Sequence, residues 1–144
     1  MTGTIRTLSN EDENLVFTRV RQVAEKTAEA AGATAFVELP LTSKYPVTFN
    51  NIELTKSMLP SLQNSAGVEN VQLIPAVTGS EDFSFYAQKV PALFFRLGGM
   101  PKGKDPKTAS PPHTPEFMID DAAFKLGVIT FCNLVFDYAE LNKK

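Results

Sequence analysis

Along the first fifty residues, the spacing of the apolar positions changes twice. Between Ser9 and Gly32 the apolar positions recur every three or four residues, which predicts a helix that Ser9 caps and Gly32 ends. The segments on either side alternate or run apolar as strands do, and Pro40 and Pro46 would end them or keep them at a sheet edge. One helix on one face of a small sheet is therefore predicted, with strands at Thr4–Leu8, Ala33–Leu41 and Tyr45–Phe49.

From residue 51 onward, longer helices alternate with short, wholly apolar segments. A helix is predicted over about Ile52–Ala66, bent by Pro60, and a last helix begins near Asp120. Two further strands are predicted at Val71–Ile74 and Ala92–Leu97, and the last helix carries an apolar stripe of Phe124, Val128, Phe131, Val135 and Tyr138. Two core strands with three helices make a poor self-contained domain. We therefore expect part of a larger α/β fold, with the faces of these two strands exposed or buried by another chain.

Between the two apolar segments lies the stretch VTGSEDFSFY, residues 77–86. Gly79 and Ser80 predict a turn, and Glu81 and Asp82 then suit the positive end of a helix that runs to about Lys89. A pair of carboxylates at this point is either a plain helix start or a catalytic pair. The residues alone favour the helix start.

The single histidine, His113, follows Pro111 and Pro112 in a proline-rich loop before the last helix. Loops on a rigid α/β frame often carry chemistry. A lone histidine is nevertheless more often a surface residue than a ligand or a base. Both interpretations stay open on the residues alone.

Composition narrows the class of protein. The 144 residues are 43% hydrophobic and 21% charged, which is typical of one soluble globular domain. A net charge of −2 gives no electrostatic reason to expect nucleic acid or an anionic membrane as a partner. The one cysteine, Cys132, excludes an internal disulfide and a multi-cysteine metal site, and we expect it to be packed in a helix. No signal peptide or membrane-length apolar run is found, so a cytoplasmic location is expected.

Five motifs in chain order resemble the C-terminal part of the aminoacylase/carboxypeptidase G metallopeptidase family. The resemblance is strongest to its amidohydrolase branch, which contains hippurate hydrolases and N-acyl-amino-acid hydrolases. Each motif alone is weak, and their order makes the resemblance specific. The motifs are GTIRT at 3–7, YPVTFN at 45–50, GSEDFSFY at 79–86, VPALFF at 90–95 and HTPEF at 113–117.

This resemblance implies a partial two-domain α/β metallohydrolase. Residues 1–50 would be the second half of a ferredoxin-like lid that mediates homodimerisation. Residues 51–144 would be the C-terminal portion of the α/β catalytic domain. The reaction implied is metal-dependent hydrolysis of the amide bond of N-acyl amino acids, hippurate-like substrates or small peptide conjugates.

The resemblance also implies roles for six residues. His113 matches the family's last metal ligand, and Arg6 matches a lid arginine that grips the substrate's free carboxylate, for which a guanidinium fork is well suited. An exposed strand arginine is the alternative for Arg6. The turn that borders the substrate pocket corresponds to Gly79, Ser80, Glu81 and Asp82.

The family's other ligands and its general base have no counterpart in this chain. They lie upstream, in a Cys-x-His pair, a Glu-Glu pair and a further histidine, and the lid histidine is missing too. The intact enzyme is expected to hold two divalent metals, zinc or manganese, with cobalt or nickel as further candidates. This chain alone should bind metal weakly and be inactive, because a zinc site needs three or four protein ligands. The alternative is a non-catalytic α/β binding or assembly module derived from the family.

Overall fold

The computed structural model describes residues 1–143, and these form two compact units. The first unit comprises Met1–Asn51 and Ile74–Ala92, and the second comprises Ile52–Leu73 and the described residues from Leu93 onward. Short 3-10 turns occur at Val68–Asn70 and Pro106–Thr108. Within the described residues the α-helices are α1 (Asn10–Ala30), α2 (Ile52–Ala66), α3 (Phe83–Ala87) and α4 (Ala122–Leu141).

The five predicted strands are not formed anywhere in residues 1–143. Two of these segments still show the alternation of a half-buried strand: Ile5 and Thr7 are half-buried between exposed neighbours, and so are Ala35 and Val37. A strand exists only through hydrogen bonds to a neighbouring strand, and a pattern of side chains cannot supply that neighbour. The α/β class and the lid architecture therefore stay predictions.

Helix α1 begins and ends close to the predicted residues. The Ser9 hydroxyl accepts a hydrogen bond from the Asp12 backbone N–H at 3.0 Å, which satisfies one of the free donors of the first turn. After the helix, Gly32 adopts φ 69°, a conformation that favours glycine. Two contacts then tie the following chain back to the helix: Lys44 pairs with Glu13, and Arg21 Nη1 donates to the Val37 carbonyl at 2.7 Å.

Helices α2 and α4 of the second unit pack through a seam of small and polar side chains. Ser61 is 3% exposed and donates to the Asp137 carboxylate. One turn along, Asn133 Nδ2 donates to the Ser65 hydroxyl at 2.9 Å. Thr130 is 4% exposed and donates to the Leu126 carbonyl within its own helix. Because each of these buried polar groups has a partner, the seam can hold the two helices in one register.

The opposite side of α4 is apolar and exposed. The predicted stripe of Phe124, Val128, Phe131, Val135 and Tyr138, called here the outer face of α4, is 51–65% exposed throughout. The stripe itself is present, but the helix packs on α2 with its polar side instead. Cys132 is exposed as well, so its predicted packing in the helix is wrong for this chain.

By length and composition alone, α4 could cross a membrane. This differs from the expectation that the chain has no apolar run of membrane length. The core helix of a soluble protein passes the same test, but such a helix is mostly buried, whereas 11% of this stretch is buried within the described residues. Asp137 and Asn133 face α2 from the same helix, as polar residues of a core helix can. α4 is thus a long apolar helix with a polar side that faces α2.

The hydrogen bonds between α2 and α4 should contribute to the stability of the second unit. We expect Asp137→Ala to lower the free energy of unfolding by about 1–3 kcal/mol, because the buried Ser61 hydroxyl loses its acceptor. The control is Glu140→Ala on the same helix, whose ion pair with Lys143 is two-thirds exposed. Its expected loss is below about 0.5 kcal/mol. Urea unfolding followed by helical circular dichroism measures both variants, and equal losses would contradict the assigned role of Asp137.

Candidate functional site

The turn predicted at Gly79 and Ser80 is not formed, since residues 77–81 are irregular backbone, and the first hydrogen bonds before α3 are those of one buried serine. The Glu81 carbonyl accepts from the Ser84 N–H at 3.1 Å and also from the Ser84 hydroxyl, and Ser84 is fully buried. The Asp82 side chain makes no cap hydrogen bond, so its carboxylate is not used to begin the helix. The predicted helix is confirmed but shorter, ending at Ala87 instead of Lys89. Ser84 was not singled out from the sequence, and no signal in its neighbours marks it.

Arg6 lies in the first unit, where it reaches the irregular segment before α3. Its Nη1 is 3.5 Å from the Thr78 carbonyl, at the long limit for a hydrogen bond. Arg6, Gly79 and Ser80 line one cavity of about 460 Å³, within the size range of small-molecule sites. Residues that are more than seventy positions apart in sequence thus lie on one cavity, which Glu81 and Asp82 do not line.

Two cations, Arg6 and Lys44, and two carboxylates, Glu13 and Glu38, line this cavity. Lys44 also lines it but is neutralised by Glu13, whose side chain is 16% exposed. Arg6 forms no ion pair among residues 1–143. A guanidinium held by one long contact to a carbonyl can turn its fork toward a carboxylate ligand.

Sequence reasoning gave no role to Lys44 or Tyr45, which also line the cavity. Tyr45 stacks at a tilt on Phe85 of α3, with ring centroids 5.7 Å apart. Tyr45 is the first residue of the motif YPVTFN, which indicates the family but not this contact. This aromatic pair brings Tyr45 into contact with α3.

His113 lies in the second unit, exposed, in a turned loop before α4. Its backbone φ is 70°, in the left-handed region that residues with a side chain adopt uncommonly. The turn is held by the Thr114 hydroxyl, which donates to the Pro111 carbonyl at 2.9 Å, and by the Phe117 N–H, which donates to the Thr114 carbonyl at 3.1 Å. Histidine, like asparagine and aspartate, is enriched among the non-glycine residues that adopt this conformation, and the two hydrogen bonds of the turn hold it there.

The residues of this chain do not fit a metal site by themselves. In the described part, residues 1–143, no three His, Cys, Asp or Glu side chains cluster closely enough to hold an ion. A structural or catalytic zinc needs at least three protein ligands. His113 offers one imidazole, and the described residues provide no complete ligand set around it.

Comparison with known proteins decides the family. The sequence model described as Peptidase family M20/M25/M40 matches residues 7–137, nearly the whole chain. The chain belongs to this peptidase family. The resemblance inferred from the five motifs is therefore confirmed.

Several M20 relatives show how much of a protein this segment represents. An uncharacterized hydrolase of Sinorhizobium fredii is 34% identical over 84% of this chain and 29% of its own length. Thermostable carboxypeptidase 2 of Saccharolobus solfataricus is 30% identical over 96% of this chain and 34% of its own length. N-acetyldiaminopimelate deacetylase of Streptococcus thermophilus is 40% identical over 67% of this chain and 25% of its own length. The chain thus spans about a third or less of these relatives, and no solved structure matches it significantly.

Proposed function

We propose that the protein containing this segment is a metal-dependent amidohydrolase that cleaves the amide bond of N-acyl amino acids. The observation that carries the proposal is the M20 family match over residues 7–137. The names of two relatives, a carboxypeptidase and an N-acetyldiaminopimelate deacetylase, support hydrolysis of an amide bond. Hippurate-like compounds and small peptide conjugates are the substrates proposed for this protein.

Each residue has a limited part in the proposed site. Arg6 would bind the free carboxylate of the substrate at the cavity that Gly79 and Ser80 also line. His113 would provide one imidazole ligand to a divalent metal, zinc or manganese, whose other ligands lie outside this chain. The metal, when bound, supplies Lewis-acid activation of the scissile carbonyl and of water. Homodimerisation through residues 1–50 belongs to the same proposal.

The test compares the 144-residue chain with the complete protein that contains it. We expect the complete protein to release glycine from hippurate, to lose this activity on treatment with a chelator and to regain it with zinc or manganese. The isolated chain should show no turnover, because it has one histidine and no general base. Activity that survives removal of metal would contradict the metal dependence. A complete protein that hydrolyses no N-acyl amino acid would favour the non-catalytic module.

A further inference from the structure

The cavity that Arg6 lines lies wholly within the first unit of the chain. Its volume of about 460 Å³ is large enough for an amino acid with a long side chain. The charged side chains on its wall are Arg6, Lys44, Glu13 and Glu38. Which of these charges already have a partner decides what kind of ligand the cavity can bind.

The ion pair between Lys44 and Glu13 cancels one charge of each sign. The Glu13 side chain is 16% exposed, whereas that of Lys44 is 54% exposed. If Lys44 turned to another carboxylate, it would leave a poorly solvated charge on Glu13 without a partner, which is costly. Lys44 therefore stays with Glu13 and is not available to the other carboxylate of the cavity.

One cation and one carboxylate remain, on Arg6 and Glu38. Neither forms an ion pair with the other or with any further group among residues 1–143. A ligand with a single carboxylate would pair with Arg6, but it would also displace water from Glu38 and give that carboxylate nothing in return. A ligand that carries both a carboxylate and a cationic group matches both side chains.

A polar group elsewhere on the wall also lacks a partner. Thr48 is half-buried and lines the same cavity. Its hydroxyl oxygen is buried and makes no hydrogen bond within the described residues. Buried polar atoms without a partner are rare in folded proteins and call for an explanation such as a bound ligand or water. This independent observation favours a polar occupant of the cavity over an apolar one.

We propose that the amino-acid part of the substrate carries a side-chain ammonium, and that Glu38 binds this group while Arg6 binds the carboxylate. The inference rests on the proposed function and narrows its substrates to N-acyl diamino acids, such as α-N-acyl-lysine. An ammonium has three N–H donors, and its hydrogen bonds to a carboxylate are charge-assisted. An acidic side chain at the same place is repelled by Glu38, which adds to the discrimination.

The first test compares two substrates of the complete protein that differ in this ammonium. α-N-acetyl-L-lysine has it, and α-N-acetyl-L-norleucine has the same carbon chain without it. We expect kcat/KM to be about tenfold higher for the lysine compound. This is the lower end of the effect of a hydrogen bond between charged groups, because Glu38 is exposed and the interaction is screened by water.

Two variants of Glu38 assign the preference to its carboxylate. Glu38→Gln should bring the two kcat/KM values within about twofold of each other. Glu38→Lys should favour α-N-acetyl-L-glutamate over the lysine compound, and a reversed preference cannot come from lost folding. The matched control is Glu25→Gln, an exposed change on α1 away from the cavity, which should keep the ratio of the wild type.

A second test needs neither metal nor hydrolysis. Both compounds are titrated into the 144-residue chain and followed by nuclear magnetic resonance. The lysine compound should bind at least fivefold more tightly, and Glu38→Gln should remove the difference.

Equal kcat/KM values for the lysine and norleucine compounds, or a preference that survives Glu38→Gln, would overturn the role of Glu38. If the complete protein hydrolyses no N-acyl amino acid, the proposed function fails and the titration alone decides about Glu38. Tighter binding of the lysine compound that Glu38→Gln removes would then support its role, and equal binding would overturn it.

Discussion

Replacing His113 by alanine in the complete enzyme should remove about one metal ion per subunit and lower turnover by more than about 100-fold. Loss of a residue that only orients a metal ligand already costs roughly 10- to 100-fold, so loss of a ligand should cost more. The measurement is metal content per subunit together with turnover of an N-acyl amino acid. Lys107→Ala, an exposed change in the same loop, is the matched control and should alter neither quantity.

The φ of 70° at His113 requires a second variant. Alanine in a left-handed conformation is strained by about 1–2 kcal/mol, so a loss of activity could come from the backbone. Asparagine tolerates this conformation and lacks the imidazole. If the imidazole is the ligand, His113→Asn should lose activity as fully as His113→Ala. Full metal content in both variants would return His113 to an ordinary surface residue.

Replacing Arg6 by alanine should raise the KM of the complete enzyme for N-acyl amino acids by roughly 10- to 100-fold. A hydrogen bond to a charged partner contributes about 1.5–3 kcal/mol, and this variant removes it only from substrates that carry a carboxylate. The same substrates as carboxamides should change little. Steady-state kinetics on the acid and the amide of one N-acyl amino acid measure the difference.

The control for Arg6 is Arg19→Ala on α1. Arg19 is also exposed and donates to the Gln22 side chain at 2.9 Å, away from the cavity. Its removal should leave KM unchanged for both forms of the substrate. Equal losses on acid and amide in Arg6→Ala would show that the arginine supports the fold and not the substrate.

Helix positions were predictable where local signals exist. The Ser9 cap and Gly32 bound α1, and Gly67 with φ 91° follows the predicted end of α2. Pro60 lies inside α2 as the pattern indicated, because the rest of that helix is apolar on one side. α3 is shorter than predicted, because its aromatic and serine residues have modest helix propensity and little follows to stabilise another turn.

Features that depend on contacts between residues far apart in the chain could not be predicted from the sequence. The contact of Arg6 with the Thr78 carbonyl spans 72 positions, and no local pattern in the sequence indicates it. The stripe of α4 was correctly located, but which side of the helix faces α2 is decided by Ser61 and Ser65 on another helix. The left-handed backbone of His113 likewise follows from the turn around it, and the histidine itself gave no such signal.

Segments whose burial alternates, but which form no backbone hydrogen bonds to a neighbouring strand, also affect how readily copies of this chain associate in concentrated solution. Residues 33–39 have one half-buried side, and Phe36 on the other side is 93% exposed. Apart from the Ala33 N–H and the Val37 carbonyl, which are bonded to Ala28 and Arg21, such a segment can present backbone donors and acceptors to an extended peptide, including the same segment of another molecule. Pro40 has no N–H to offer and Glu38 adds a charge, and both limit edge-to-edge aggregation at the end of the segment. Lysine substituted for Phe36 would extend that protection along its exposed side.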